Sequence, residues 1–200
     1  MTEALLIAAQ VVGILFLVDF LSGVFHWLED SYANERTPVL GRFIVIPNII
    51  HHHQPRDFVR SPFWHRNIVT MLLSALIFIS FALLLGASWQ LCLLCALGAF
   101  CNEFHCWAHR SPEENGHFIT ALHRLRILQT PRHHATHHTH PKNRAYCVFT
   151  NYTNPLLDRI EFWRRAELVI SFIFGVRPRL DTSIGPERLP PMAMPVRLPP

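Results

Sequence analysis

IVTMLLSALIFISFALLLGA, residues 68–87, is a run of twenty residues without a charged side chain. As an α-helix, at about 1.5 Å per residue, it would be about 30 Å long, which is the thickness of a bilayer's hydrocarbon core. The run therefore predicts a transmembrane helix. The composition agrees, since 50% of the 200 residues are hydrophobic and 16% are charged, far from the balance of a disordered chain.

Three further segments are apolar enough to meet the bilayer. Residues 5–25 can cross it, and they lack the basic start and small-residue cleavage site of a secretory signal. The run that begins at Trp89 follows residues 68–87 after a very short link, which predicts a hairpin with a third, antiparallel helix. Residues 156–175 combine a basic pair with an apolar end, which favours an interfacial helix or a short fourth embedded one. The predicted fold is all-α, an integral membrane protein with three to four membrane-embedded helices.

The basic residues predict the orientation. All 18 lysines and arginines lie at or after Arg36, and none falls between Asn67 and His109. The positive-inside rule then places residues 28–66 and everything after His109 in the cytosol. A multi-pass protein with a cytosolic helical cap follows. The net charge of +4 fits a membrane protein, because cytosolic arginines are attracted to anionic lipid headgroups. No nucleic-acid motif is present.

The 14 histidines cluster in four places, each close to a predicted membrane boundary on the same side. FHWLED and NEFHCWAH each contain two candidate ligands four positions apart, on one helical face. In HHATHH, positions 134, 137 and 138 share a face and His133 pairs with His137, so two faces or two metals are possible. From HHH at 51–53 we select two ligands. The candidate metal ligands are His26, Asp30, His52, His53, His105, His109, His133, His134, His137 and His138.

Two interpretations of these clusters compete. Single histidines at helix ends are commonly interfacial, and HHATHH alone could be a solvated polar surface. Four clusters on one side of the membrane favour joint metal binding. Imidazoles with a carboxylate suit iron, zinc, copper or nickel, and no HExxH string of a zinc protease occurs. More ligands than one metal needs indicate a two-iron site that activates dioxygen.

Asp19 is a separate feature, because it is a carboxylate inside the first predicted span. Such a group is costly in hydrocarbon and is functional by default. It lies about two helical turns from His26. We therefore predict that Asp19 supports the ligands or lines a substrate cavity.

Five motifs resemble the lipid desaturases of the plasmanylethanolamine desaturase type, the Kua-like membrane histidine-box enzymes. They are DFLSGVFHWLED, HHQP, the pair NEFHCWAH and PRHHATHH, and NPLLDRIEFWRRAE, in the order that the family has them. The resemblance implies a membrane di-iron enzyme that introduces a double bond into a lipid chain, typically converting a 1-O-alkyl ether lipid into a vinyl ether. It also implies dioxygen as co-substrate and an electron donor such as cytochrome b5 or ferredoxin. Within the motifs, Asn102 and Asn154 join Asp19 as expected supporting or cavity residues.

The resemblance covers residues 19–179, so we predict a membrane desaturase domain over residues 1–179 and a proline-rich flexible cytosolic tail over 180–200. Metal ligation is expected to carry the chemistry, with no other catalytic residue. A fatty-acyl desaturase or hydroxylase would use the same metals, so this alternative stays open. A non-catalytic metal-binding or haem protein is the other alternative, and the oligomeric state is not predicted.

Overall fold

A computed structural model describes residues 2–179, and this part of the chain is helical without a β-strand. The predicted tail over residues 180–200 lies outside the described residues. A π-helical turn, Gly41–Val45, leads into the second helix. The helices are α1 Thr2–Ser31, α2 Ile46–His53, α3 Pro55–Arg60, α4 Phe63–Leu85, α5 Trp89–Ala99, α6 Cys101–His109, α7 Pro112–Arg124, α8 Pro131–His134, α9 Thr153–Arg159 and α10 Phe162–Phe174.

Three helical segments carry the membrane character that the sequence predicts. α1 and α4, of 30 and 23 residues, are each long and apolar enough to cross a bilayer. α5 and α6 meet at a bend of 43° and together form a candidate broken span. α5 packs against both α1 and α4. The all-helical membrane fold is thus confirmed, and residues 2–179 contain two candidate spans or, if the bent pair is one span, three.

The hairpin between α4 and α5 is built from residues 86–88, the very short link that the sequence predicts. Gly86 ends α4 with φ 86° and ψ 153°, a conformation that a side chain would strain. Ser88 then caps α5, since its hydroxyl accepts a hydrogen bond from the Leu91 amide at 3.2 Å. The chain therefore reverses direction between α4 and α5 within three residues.

The proposed fourth membrane segment divides into α9 and α10. α10 has 13 residues, about 20 Å of helix, which is too short to cross the hydrocarbon core alone. Trp163 and Glu167 are buried against the rest of the protein, whereas Leu168 and Phe172 are 70% and 92% exposed. An apolar outer face on a short helix fits the interfacial alternative of the prediction.

The segment after α8 packs its apolar side chains against the C-terminal half of α1. One buried cluster joins Trp27 of α1 to Tyr146, Cys147, Leu157 and Trp163. The close approach requires glycine at position 23: a Cβ atom there would lie 2.5 Å from the Cys147 Sγ. α1 and this segment are therefore packed in direct contact at Gly23.

Replacing Gly23 with alanine should destabilise the protein by about 1–3 kcal/mol, because α1 and the Cys147 segment would have to move apart. Gly13 is the matched control on the same helix, since a Cβ there meets nothing within 4 Å. Gly13→Ala should be neutral or stabilising by up to about 1 kcal/mol. Thermal unfolding of both variants in detergent checks this, and equal melting temperatures would contradict the packing described.

Candidate metal centre

Histidine-rich groups lie where the C-terminal ends of α1 and α6 meet α2 and the segment that starts at α8. In each group the possible ligand atoms lie within 4.8 Å of one another. The five-histidine group consists of His51, His105, His109, His134 and His138. The mixed group consists of His26, Asp30, His52 and His137.

The five-histidine group turns its Nε2 atoms toward one point. His105 Nε2 lies 3.1 Å from that of His51 and 3.3 Å from that of His109. His134 Nε2 lies 2.9 Å from the Nε2 atoms of His105 and His109 and 3.1 Å from that of His138. Two nitrogens bound about 2.1 Å from one ion at right angles would be about 3 Å apart. The spacing fits a shared metal ion.

Hydrogen bonding alone does not account for this convergence. The Nε2 of a neutral imidazole is either one donor or one acceptor, yet His134 Nε2 has three Nε2 neighbours within 3.1 Å. Protonating the rings would crowd like charges in a buried place. A cation that accepts the lone pairs satisfies the whole group.

The residues outside the membrane helices are held in the neutral form that a metal requires. Burial holds the pKa of the His51 imidazole well below its ordinary value, and the nearby His109 and His138 imidazoles lower it further. The pKa of His134 is lowered in the same way, by burial and then by the His105 and His109 imidazoles. Burial likewise lowers the pKa of His138. Neutral imidazoles can bind a metal without first releasing a proton.

The mixed group adds a carboxylate to imidazoles whose orientation is fixed. His26 Nδ1 donates to the Tyr146 carbonyl at 3.1 Å, and His137 Nδ1 donates to the Arg144 carbonyl at 2.9 Å. These bonds leave each Nε2 as a lone pair directed into the group, which is how proteins fix a metal-binding histidine. His52 Nε2 lies 3.5 Å from that of His26 and 3.2 Å from that of His137.

Asp30 is buried with one oxygen satisfied and one unsatisfied. Its Oδ1 accepts a hydrogen bond from Asn48 Nδ2 at 2.6 Å. Its Oδ2 lies 3.4 Å from His137 Nε2 but has no well-formed hydrogen bond. A buried carboxylate oxygen without a partner is costly, and a metal ion among these ligands would satisfy it. The donor set fits a divalent transition metal.

The two groups adjoin each other, because neighbouring residues in the chain contribute to different groups. The rings of His51 and His52 have centroids 5.7 Å apart, and those of His137 and His138 are 5.5 Å apart. Consecutive side chains on a helix or turn diverge, so each pair sends one imidazole to each side. Two metal ions held in this way would share one pocket.

The structure brings eight of the predicted ligands into these groups and leaves two outside. His53 belongs to neither group, and its buried Nε2 has no hydrogen-bond partner. His133 also lies outside, with its Nε2 3.4 Å from Asn154 Nδ2. His51, which the sequence analysis did not select, lies in the five-histidine group. The rotation of α2 about its axis decides which of the three consecutive histidines point inward. The HHH string alone does not reveal that rotation.

The helical face that the spacing predicts for His134, His137 and His138 together is wrong, whereas the predicted division of HHATHH between two metals fits the two groups. α8 ends at His134, and turns follow it. His134 and His138 turn to the five-histidine group, whereas His137 turns to the mixed group. The departure from helix thus separates His137 from its neighbours and allows one short string to serve both groups.

Asp19 holds the segment that orients the mixed group. Its buried carboxylate accepts hydrogen bonds from the Phe149 amide (2.9 Å), from the Thr150 amide and hydroxyl (3.2 and 2.6 Å) and from the Thr153 hydroxyl (2.7 Å). The same segment presents the Tyr146 carbonyl to the mixed group. Asp19 does not line the large cavity described below, so of its two predicted roles the supporting one fits.

The other two predicted supporting residues also bind backbone. Asn154 Oδ1 accepts from the Cys147 amide at 2.9 Å, and its Nδ2 donates to the Cys147 carbonyl at 2.8 Å. Asn102 Nδ2 donates to the Arg66 carbonyl at 2.6 Å and so joins α6 to α4. Both residues fix elements that carry the histidines, and Asn102 also lines the cavity.

An ion-pair network that the sequence analysis did not find lies beside the histidines. The buried Arg66 guanidinium binds the Glu103 carboxylate at 2.6 Å, and Arg110 binds the same carboxylate at 3.2 Å. Arg66 also donates to the Ser61 and Phe58 carbonyls. The network fixes the start of α4 to α6, next to the metal-binding end of α6. The only feature of the sequence that could have indicated this network is the presence of charged residues, Arg66 and Glu103, at the ends of predicted spans.

A cavity of about 650 Å³ adjoins both histidine groups. His26, His51 and His105 form part of its wall at one end. From there it extends along α1, α4 and α5 to Ile77 and Leu94. From Arg66 to Ile77 the α4 helix rises about 16 Å. The cavity is therefore a long apolar space with the candidate metal centre at its polar end.

Replacing His51 with alanine should remove bound metal, whereas His53→Ala should not, because only His51 contributes to a ligand group. The two variants form a matched pair on adjacent positions of α2. Loss of a ligand should weaken metal binding by at least the tenfold to hundredfold that follows loss of a residue that only orients a ligand. Metal analysis of the purified proteins checks this. Equal metal loss in both variants would contradict the assignment.

Replacing Asp19 with alanine should reduce the free energy of unfolding by about 3 kcal/mol or more, because buried donors of Phe149, Thr150 and Thr153 lose their acceptor. Asp57 is the control: it is exposed and pairs with Arg60 alone among the described residues, at 3.5 Å. Asp57→Ala should change stability by no more than about 0.5 kcal/mol. Denaturant unfolding in detergent measures both. A tolerated Asp19→Ala would show that the carboxylate is not the anchor described here.

Comparison with known proteins identifies the family. The lipid desaturase domain model matches residues 15–181. The chain is 34% identical over 193 residues to plasmanylethanolamine desaturase of Myxococcus xanthus, covering 92% of this chain and 66% of that protein. It is 29% identical over 189 residues to plasmanylethanolamine desaturase 1 of Mus musculus (88% and 69%) and 32% identical over 173 residues to the chloroplastic fatty acid desaturase 4 of Arabidopsis thaliana (82% and 51%).

The chain thus spans 66% of the bacterial relative and 51% of the plant one. No solved structure matches it. The domain match covers most of the chain and includes the helices and turns that carry both histidine groups. On this evidence the chain belongs to the lipid desaturase family.

Proposed function

We propose that this protein is a di-iron, dioxygen-dependent oxidoreductase that introduces a double bond into a membrane lipid. The most favoured substrate is a 1-O-alkyl ether phospholipid, which would become a vinyl ether. The observation that carries the proposal is the junction of two buried ligand groups that could each hold a metal ion with one long apolar cavity. Membership of the lipid desaturase family supports it.

Iron bound by the five-histidine and mixed groups would supply dioxygen activation and the removal of hydrogen from an unactivated C–H bond. The reaction turns a –CH₂–CH₂– unit into –CH=CH– and removes two hydrogens. With O₂, two electrons and two protons, it produces two molecules of water. The electrons would come from a carrier protein such as cytochrome b5 or ferredoxin with its reductase.

The protein's own residues hold and orient the reactants. The Tyr146 and Arg144 carbonyls fix the rings of His26 and His137, and Asp19 fixes the segment that contains these carbonyls. The apolar wall around Ile77 and Leu94 would hold the hydrocarbon chain and exclude water. We propose the nine side chains of the two groups as ligands, with His51 in place of His53 and without His133.

The position of the centre along the cavity favours a bond near the lipid headgroup. His26, His51 and His105 line the polar end, while the cavity wall on α4 extends from Arg66 to Ile77, a rise of about 16 Å. A chain inserted with its tail toward Ile77 would thus present its first carbons to the centre. A vinyl ether bond forms at such a position, and two relatives are named plasmanylethanolamine desaturases.

The proposed orientation places the histidine groups on the cytosolic side. It rests on the clustering of every lysine and arginine at or after Arg36 and on the uncharged hairpin at Gly86. A cytosolic centre would be accessible to a soluble electron carrier. We propose residues 1–179 as the desaturase domain, a range close to the family match of 15–181.

Expression in a host that contains alkyl ether lipids tests the proposed reaction. The wild type should produce acid-labile vinyl ethers, and His134→Ala should not, because His134 contacts three other imidazoles of its group. His140→Ala is the control, since His140 is exposed and lies outside both groups. Mass spectrometry of lipids before and after mild acid measures the product.

The same lipid profiles distinguish an ether-lipid substrate from the alternative, a fatty-acyl chain. A fatty-acyl desaturase, as the Arabidopsis relatives are named, would produce new double bonds that survive acid. New acyl double bonds that require His134 would replace the ether-lipid assignment. A wild type that leaves all lipids unchanged, although it contains iron and receives electrons, would contradict the desaturase function.

A further inference from the structure

Arg179 is a residue far along the chain that binds the C-terminal end of α1. Its amide donates a hydrogen bond to the Ser31 carbonyl at 2.7 Å. Its guanidinium Nη2 donates to the carbonyls of Glu29 and Asp30 at 2.9 and 3.0 Å, and its Nε donates to the Asp30 carbonyl at 3.2 Å. One residue thus satisfies three consecutive backbone carbonyls of α1, although 149 positions separate it from Asp30.

These carbonyls need a partner because they lie at the end of a helix. The last four carbonyls of an α-helix have no amide within the helix to accept from. The Leu28 carbonyl accepts from the Tyr32 and Ala33 amides at 3.0 and 3.1 Å, which leaves the carbonyls of residues 29–31. The last turn of α1 contains no basic residue of its own. The cation that a helix C-terminus favours therefore comes from Arg179.

The turn that Arg179 caps carries a proposed metal ligand, Asp30. α1 contributes His26 and Asp30 to the mixed group and no residue to the five-histidine group. The His26 ring is fixed by the Tyr146 carbonyl, whereas Asp30 lies in the last turn, where helices fray. Asn48 holds the Asp30 carboxylate at 2.6 Å, and Arg179 holds the backbone of Asp30. The position of the one carboxylate in the two groups therefore depends on this cap.

We infer that Arg179 is a positioning residue for the mixed group, because it closes the last turn of α1 and so holds Asp30 where a metal ion would bind. The inference rests on the proposed function only for the presence of a metal ion in each group. It gives Arg179 no contact with metal or lipid. Loss of Arg179 would therefore weaken one metal site and leave the other unchanged.

Cobalt titration of the purified, metal-free full chain in detergent tests the inference without turnover. Co²⁺ accepts the same imidazole and carboxylate ligands as other divalent transition metals, and its absorbance reports binding. We expect the wild type to bind two Co²⁺ ions. In Arg179→Gln the affinity for one of them should fall by about tenfold to a hundredfold, the range that follows loss of a residue that orients a ligand.

Arg177→Gln is the matched control, because Arg177 is exposed and its guanidinium has no hydrogen bond or ion pair within residues 2–179. This variant should keep the wild-type affinity for both ions. Glutamine at position 179 also removes a positive charge near the mixed group, which by charge alone would favour a bound cation. Weaker binding in Arg179→Gln therefore reports lost position rather than lost charge.

Double variants identify the weakened site and separate positioning from general destabilisation. His51→Ala disrupts the five-histidine group, and adding Arg179→Gln to it should weaken binding of the remaining ion by the same factor as before. His137→Ala disrupts the mixed group, and adding Arg179→Gln to it should leave the remaining ion unaffected. General destabilisation would weaken binding in both backgrounds.

Unchanged or tighter binding of both ions by Arg179→Gln would overturn the inference, and so would equal weakening in the two backgrounds. The two proposals fail separately. An Arg179-dependent Co²⁺ site in a protein that leaves all lipids unchanged, although it contains iron and receives electrons, would contradict the proposed function alone. Lipid desaturation by a chain whose Co²⁺ binding does not depend on Arg179 would contradict the role of Arg179 alone. A wild type that binds no metal would contradict both.

Discussion

The convergence of neutral imidazoles at one end of an apolar helix bundle is the constraint on which this structure depends. Their Nε2 atoms lie as close as 2.9 Å in a buried place, where neither mutual hydrogen bonding nor protonation satisfies them. Bound metal would remove the conflict. The surrounding structure holds α1, α6, α2 and the turn after α8 together where these imidazoles converge.

The groups that orient the histidines of the mixed group are mainly backbone carbonyls rather than side chains. Segment 144–150 supplies two carbonyls that fix the rings of His26 and His137. Asp19, Gln129 and Asn154 in turn bind this segment at its backbone. Gly23 allows it to approach α1. An acid inside a membrane helix is thus used to position a metal ligand about two turns away.

Much of this could be predicted from sequence, for reasons that are local. The apolar runs determine the spans, and helical spacing brings His26 to Asp30 and His105 to His109. The division of ligands between the two groups could not be predicted, because it depends on tertiary register. His51 replaces His53 through the rotation of α2, and His137 leaves the face of His134 because α8 ends there. The backbone carbonyls that orient His26 and His137 could not be predicted either, because any residue type can supply a backbone carbonyl.

The most direct measurement of the central claim is iron-edge X-ray absorption, with metal analysis, on the purified full chain. The two histidine groups predict about two irons per chain, with mainly nitrogen ligands and a nearby second metal. Loss of the metal–metal signal in both His51→Ala and His137→Ala would assign one ion to each group. A single zinc per chain, or iron without a metal neighbour, would contradict the account.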